Sequence, residues 1–184
     1  LEPPGHADSP FRLTLALANR RIGRSLARAG KLSEALLHFR RALSIENAEL
    51  GRHPGSAPVR TAISYTLNDT GIALAAHGDH AAAINQLEEA LRIRRELAAA
   101  DPKDWRAHSL LANSQMHLGL SLAKVGRQAE ALRELRESLA VRQSLSEQNV
   151  KNAGALAEVA EGSAALADAS VLANRWGDAI PLYE

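Results

Sequence analysis

Gly30, Gly78, Gly126 and Asn174 follow one another at a constant interval of 48 residues. Five positions beyond each stands an alanine followed by a bulky aliphatic: Ala35-Leu36, Ala83-Ile84, Ala131-Leu132 and Ala179-Ile180. A fixed period of this length marks a stack of equivalent supersecondary units. Each unit buries its apolar face against its neighbours, and such a stack works as an extended binding surface rather than an enclosed active site.

The unit reads as two helices. Leu15, Ile22, Leu26 and Ala29 are spaced 7, 4 and 3 apart, which keeps them on one helical face. Their columns recur as Ile63, Thr70, Leu74, His77, then Leu111, Leu118, Leu122, Val125, then Val159, Leu166, Ser170, Ala173, and this face is expected to form core. Starts are expected near Pro10, Pro58 and Asp104, where proline or a capping side chain suits a first turn. The residue at the 48-step interval is expected to end this first helix in the left-handed conformation, which glycine adopts freely and asparagine tolerates. A second helix follows, with Leu36, Phe39, Leu43, then Ile84, Leu87, Leu91, then Leu132, Leu135, Leu139 in amphipathic rhythm. Small residues interleave at Ala35, Ala42, Ala83, Ala90, Ala131 and Ser138, and permit close approach of backbones. Gly23, Gly71 and Gly119 form another column, filled by Ala167 in the fourth register. Glycine inside a helix costs roughly 1 kcal/mol against alanine. Three in register imply a neighbouring helix packed on bare backbone. Exposed Glu88, Arg92, Glu96, Arg133 and Glu137 read as a solvated charged face.

Composition narrows the function classes. Twenty-two basic and 21 acidic residues leave a formal charge of +1, which disfavours a chain-wide field for nucleic acid or membrane. Aromatics are 3% of residues, too few for a base-stacking platform. Cysteine is absent, which excludes disulfides and thiolate metal sites and permits a reducing compartment. No apolar run approaches the roughly 18 residues of a membrane span. No signal sequence is visible, and a cytoplasmic location is expected. The chain begins without Met and stops part way into a unit, as expected of a fragment.

The ordered set Gly23, Leu26, Gly30, Ala35, Phe39, Ala42 resembles the tetratricopeptide repeat, as do Gly71, Leu74, Gly78, Ala83, Leu87, Ala90 and Gly119, Leu122, Gly126, Ala131, Leu135, Ser138. A partial fourth set is Ala167, Ser170, Asn174, Ala179, Tyr183. The resemblance implies an all-α, right-handed solenoid of antiparallel helix hairpins, one repeat domain over 1–184. Its units would run about 10–57, 58–103, 104–152 and 153–184, the last incomplete, with seven long helices and a short eighth near 177–184. The period exceeds the family's unit of about 34 residues. The aromatic expected early in the first helix is replaced by Asn19, Leu67, Gln115 and Ser163, and no proline closes the second helix. The additional residues continue the helical pattern, as in Ile93-Arg94-Arg95-Glu96-Leu97, so longer helices are expected. In this the chain resembles long-helix arrays attached to bacterial serine/threonine kinases, although no kinase motif occurs.

In this family the first helix of each unit lines a concave peptide groove. Carried over, the groove would hold Leu17, Arg20, Arg21, Arg24 and Arg28, then Tyr65, Asn68, Asp69, Ile72 and Ala76, then Asn113, Met116, His117, Leu120 and Lys124. Arg20, Arg24 and Arg28 stand four apart as one basic ridge suited to carboxylate or phosphate. An ordinary solvated arginine face competes with that reading. His77 and His80 flank a turn but supply two of the three or four ligands zinc needs, and a structural role is favoured over metal. There is no phosphate loop, nucleophile elbow or zinc-protease motif, so neither enzyme nor cofactor is expected. Helical-repeat RNA readers need a coherent basic track, which the acidic fourth unit (Glu158, Glu161, Asp168) interrupts. The expectation is a non-catalytic scaffold for a protein or peptide, acidic where the ridge is used, serving as a sensor or docking segment of a larger signalling protein. Its rival is self-association, a homo-oligomer stacked through the end helices.

Overall fold

A computed structural model describes residues 8–148 and 153–183. Eight helices follow in order: α1 Asp8–Arg28, α2 Leu32–Arg52, α3 Ala57–Ala76, α4 His80–Ala100, α5 Trp105–Lys124, α6 Gln128–Gln148, α7 Ala153–Leu172 and α8 Trp176–Tyr183. No strand occurs among the described residues. Contacts group into two compact units, 1–93 and 94–184, with the division inside α4. In the first unit α1 pairs with α2 and α3 packs on both; in the second α5 pairs with α6, and α7 packs on both and carries α8.

The turn that ends each odd-numbered helix has one geometry. Gly30, Gly78 and Gly126 take φ of 76°, 85° and 83°, and Asn174 takes 56°. Lys31 N donates to Leu26 O and Gly30 N to Ala27 O, and the same two bonds recur for Asp79 and Gly78, Arg127 and Gly126, and Arg175 and Asn174. These are the paired bonds by which a left-handed residue satisfies the last carbonyls of a helix. At the other end, Ser56 Oγ accepts Val59 N at 3.4 Å, and Asp104 Oδ1 accepts Arg106 N at 2.9 Å and Ala107 N at 3.2 Å.

Inside the hairpins a bulky residue of the even helix lies on bare backbone of the odd one. A Cβ at Gly23 would stand 2.7 Å from Phe39 Cε1; at Gly71 and Gly119 it would stand 2.6 Å from Leu87 Cγ and Leu135 Cγ. In the fourth register Ala167 takes the glycine's place. There the corresponding Tyr183 lies outward, its hydroxyl donating to Asp168 Oδ1 at 2.5 Å. The lengthened period goes into helix: α2, α4 and α6 are 21 residues each.

Two expectations about the core need correction. Ile63, Thr70, Leu118 and Leu166 are buried, but their equivalents in α1, Leu15 and Ile22, are each 45% exposed. Within the first unit α2 packs on α3, and within the second α6 packs on α7, which covers this face there; among the described residues no helix precedes α1. Its buried positions are Ala16 and Gly23 instead, toward α2. The column Ala29, His77, Val125 is exposed as well. His77 and Val125 are helix-capping residues beside the left-handed turn, where the chain leaves the packed face. His77 Nδ1 turns back to Ala73 O at 2.9 Å.

Candidate functional site

The arginine ridge lies in the first unit, where α3 meets α1. Arg20 Nη1 stands 3.3 Å from Asp69 Oδ2, and Arg24 Nε is 3.8 Å from the same oxygen. The Arg20 guanidinium also lies 4.7 Å over the Tyr65 ring. Spacing by four residues on α1 therefore brings two cations to one carboxylate on α3. Arg20 is largely shielded, Arg24 is half-exposed, and Arg28 is exposed with no ion pair among the described residues. Ile72 and Leu17 are half-buried beside them and Arg21 points to solvent.

Behind the ridge is a carboxylate that the sequence reading missed. Glu46 of α2 is 1% exposed; Thr66 Oγ1 donates to its Oε1 at 2.9 Å, while Oε2 finds no hydrogen-bond partner among the described residues. Burial pushes the carboxyl up to about 6, against the pull of Thr66 and the Arg20 charge. Near the far end of the same hairpin, Arg12 Nη1 pairs with the buried Glu49 at 3.7 Å, and Arg52 also bonds Glu49.

The second unit repeats the position of Glu46 with opposite charge. Arg94 and Arg142, 48 and 96 residues on, are 1% and 3% exposed. Arg94 Nη1 donates to Leu110 O at 2.7 Å and Ser114 Oγ at 2.8 Å. Arg142 Nη1 donates to Glu158 O at 2.9 Å and to Glu161 Oε2 at 3.3 Å. The partner column varies with the charge it meets: Thr66 donates to Glu46, Ser114 accepts from Arg94, and Gly162 leaves room for Arg142. The signal was legible as a polar column, Glu46, Arg94, Arg142, three residues beyond the apolar column Leu43, Leu91, Leu139. A second polar pair occupies the missing aromatic's place. His38 Nδ1 lies 3.0 Å from Asn19 Oδ1, and Gln115 Nε2 donates to Glu134 Oε2 at 3.5 Å and to Glu137 Oε2 at 2.6 Å.

Two groove candidates are not on a free surface. Met116 is 2% exposed and its Sδ accepts Arg142 Nη2 at 3.4 Å; Asn68 is buried too. The reason for Met116 is that α6 and α7 both pack on α5, so fewer of its faces are open than a bare first helix would present. Asn113, His117 and Leu120 are half-buried, and Lys124 and Ala76 are exposed. Burial holds the His117 imidazole down at about 4; Glu161 opposes this, and the Arg142 and Arg94 charges add to it. It is neutral at pH 7. Among the described residues no three His, Cys, Asp or Glu side chains gather as a metal site, and no helix is long and apolar enough to cross a membrane.

Comparison with known families finds the tetratricopeptide repeat twice, over residues 13–96 and again over 111–149. Curated proteins return no match. Among solved structures, MamA of AMB-1 is 17% identical with a TM-score of 0.42, covering 91% of this chain and 87% of that one. MamA of MSR-1 is 15% identical with a TM-score of 0.31, covering 91% and 92%. Together the two family matches take in about two thirds of the chain and include the three glycine turns and the three glycine contacts described above. This protein belongs to the tetratricopeptide repeat family, an all-α solenoid class of protein-interaction scaffolds.

Proposed function

We propose that the odd-numbered helices of the first unit capture an acidic peptide segment, with Arg24 and Arg28 as the contacting cations and Tyr65 and Arg20 as their support. The observation that carries this reading is the convergence of Arg20 and Arg24 on a single oxygen of Asp69. A carboxylate already sits where the ridge accepts one, and Arg20 is held there by the Tyr65 ring. Arg28, one turn on, has its guanidinium open to solvent. Guanidinium forks bind carboxylates bidentately, so an extended acidic segment suits this row. The role is non-catalytic. The long helices, similar to those of kinase-attached arrays, support a place as the sensor or docking segment of a larger signalling protein, and the lack of cysteine fits a cytoplasmic setting.

The test is titration of an acidic hexapeptide against the chain and against Arg24→Glu with Arg28→Glu. Binding should fall at least tenfold with only a small change in the melting midpoint from loss of the half-exposed Arg24–Asp69 pair, and it should weaken as salt rises. Unchanged affinity would remove the ridge. Arg20→Glu is a poorer probe, because it removes the closer Asp69 contact and the stacking on Tyr65 as well.

A second reading, self-association, is favoured by exposed apolar residues at both ends. Trp176, Ile180 and Tyr183 stand at i, i+4 and i+7 on α8, and Phe11, Leu15 and Ile22 share α1. Molecular mass across a concentration series checks it. A mass that stays monomeric rejects self-association.

A further inference from the structure

The end of hairpin α5–α6 holds a half-open niche of about 460 Å³, lined by Pro102, Lys103, Trp105, His108, Val141 and Leu145, with Ser144 beside them. It departs from the repeat. In hairpin α1–α2 the positions of His108 and Leu145 are Arg12 and Glu49, whose ion pair, joined by Arg52, fills the corresponding place with charge. Here the pair is gone. Leu145 is apolar, and His108 Nε2 is tied to Pro102 O at 3.1 Å. Trp105, where the second repeat has Ala57, leaves 58% of its surface open.

Cations flank the niche. Lys103 stands at its wall, and the Arg106 guanidinium lies 5.2 Å from the Trp105 ring. The two nearest carboxylates on the chain are turned to backbone: Asp104 caps α5, and Asp101 Oδ1 accepts Lys103 N at 3.0 Å. Among the described residues no carboxylate lines the space. An open indole favours stacking with another ring, and a lysine ammonium is a point charge suited to one carboxylate. The volume lies toward the small end of ligand sites, enough for the end of a chain rather than a length of it.

We propose that this niche binds the C-terminal residue of a partner peptide, its aromatic side chain against Trp105 and its terminal carboxylate beside Lys103. The site is separate from the arginine ridge and stands or falls without it.

The test uses the full chain carrying Trp176→Phe, which leaves Trp105 as the sole indole. A glycine-serine hexapeptide ending in phenylalanine is titrated with Trp105 fluorescence as the readout. A saturable change is expected, with a Kd on the order of 1 mM or tighter, as fragment-sized contacts allow. The C-terminal amide of the same peptide should bind at least tenfold more weakly, and Lys103→Ala should erase the difference between acid and amide. His108→Arg with Leu145→Glu, which imports the first hairpin's charges, should abolish the signal; Lys103→Ala stands alone should that variant fail to fold. Equal affinity for acid and amide, or no saturable change up to about 10 mM, overturns the proposal.

Discussion

Arg142 crosses α7 at Gly162: a Cβ built on that glycine would stand 3.2 Å from Arg142 Cδ, while the guanidinium reaches past it to Glu158 O and Glu161. A buried cation is thus held by one backbone carbonyl, two exposed carboxylates and the Met116 sulfur, with its Nε unpartnered among the described residues. Removing it strips hydrogen bonds from α7 and leaves a cavity beside Met116. Arg142→Ala should lower unfolding free energy by about 2–4 kcal/mol, measured by urea denaturation. Arg142→Met, which keeps the stem, should cost less.

The glycine contacts predict a paired effect. Gly71→Ala places a methyl 2.6 Å from Leu87 Cγ. Overpacking of about 1–3 kcal/mol should outweigh the roughly 1 kcal/mol gain in helix propensity. Adding Leu87→Ala should then destabilise less than the sum of the two single changes. A double-mutant cycle in urea reads the coupling; strict additivity would mean that the two residues do not meet.

At the turns, Gly126→Ala should cost about 1–2 kcal/mol, because φ of 83° brings Cβ against backbone. Asn174→Gly should be neutral or slightly stabilising, since asparagine already tolerates the left-handed region at some strain. Thermal midpoints of the two variants check both signs.

Two titrating groups, one buried and one half-buried, act oppositely with pH. Glu46, raised to about 6, holds its proton in the folded state where the unfolded chain has lost it. Its contribution is therefore present below the usual carboxylate value and is lost as pH rises through 6, roughly 2 kcal/mol at most. Glu46→Gln should gain on the parent above pH 6 and converge with it in acid. His117, lowered to about 4, stays neutral while the unfolded imidazole charges below about 6.5, so stability falls as pH drops from there toward 4. His117→Gln should flatten that loss. Urea midpoints at pH 7.5, 6 and 4.5 separate the two.

The first helix yields a contrast within one column. Leu118→Ala should cost about 2–5 kcal/mol, as for a filled core site. Ile22→Ala, at the equivalent place in α1, should change stability by under about 1 kcal/mol, because that side chain is 45% exposed. Equal losses would mean that a covering helix is present in solution.

The sequence by itself determined the repeat, the helix pairs and their turns. These follow from local chemistry: a left-handed stop needs glycine or asparagine wherever it occurs, and apolar periodicity is written residue by residue. Only the tertiary structure decided which members of a column are buried, because burial is conferred by a neighbour. Ile22 and Leu118 share a register, yet one is 45% exposed and the other 3%. The same holds for the candidate sites. A four-residue spacing placed Arg20, Arg24 and Arg28 in a row, but α3 supplied the Asp69 that engages two of them. Met116 left the groove because α6 and α7 close over α5. The acid–base column Glu46, Arg94, Arg142 acquired meaning from the partner each met across the next helix, since a buried charge is tolerated only where a specific group answers it.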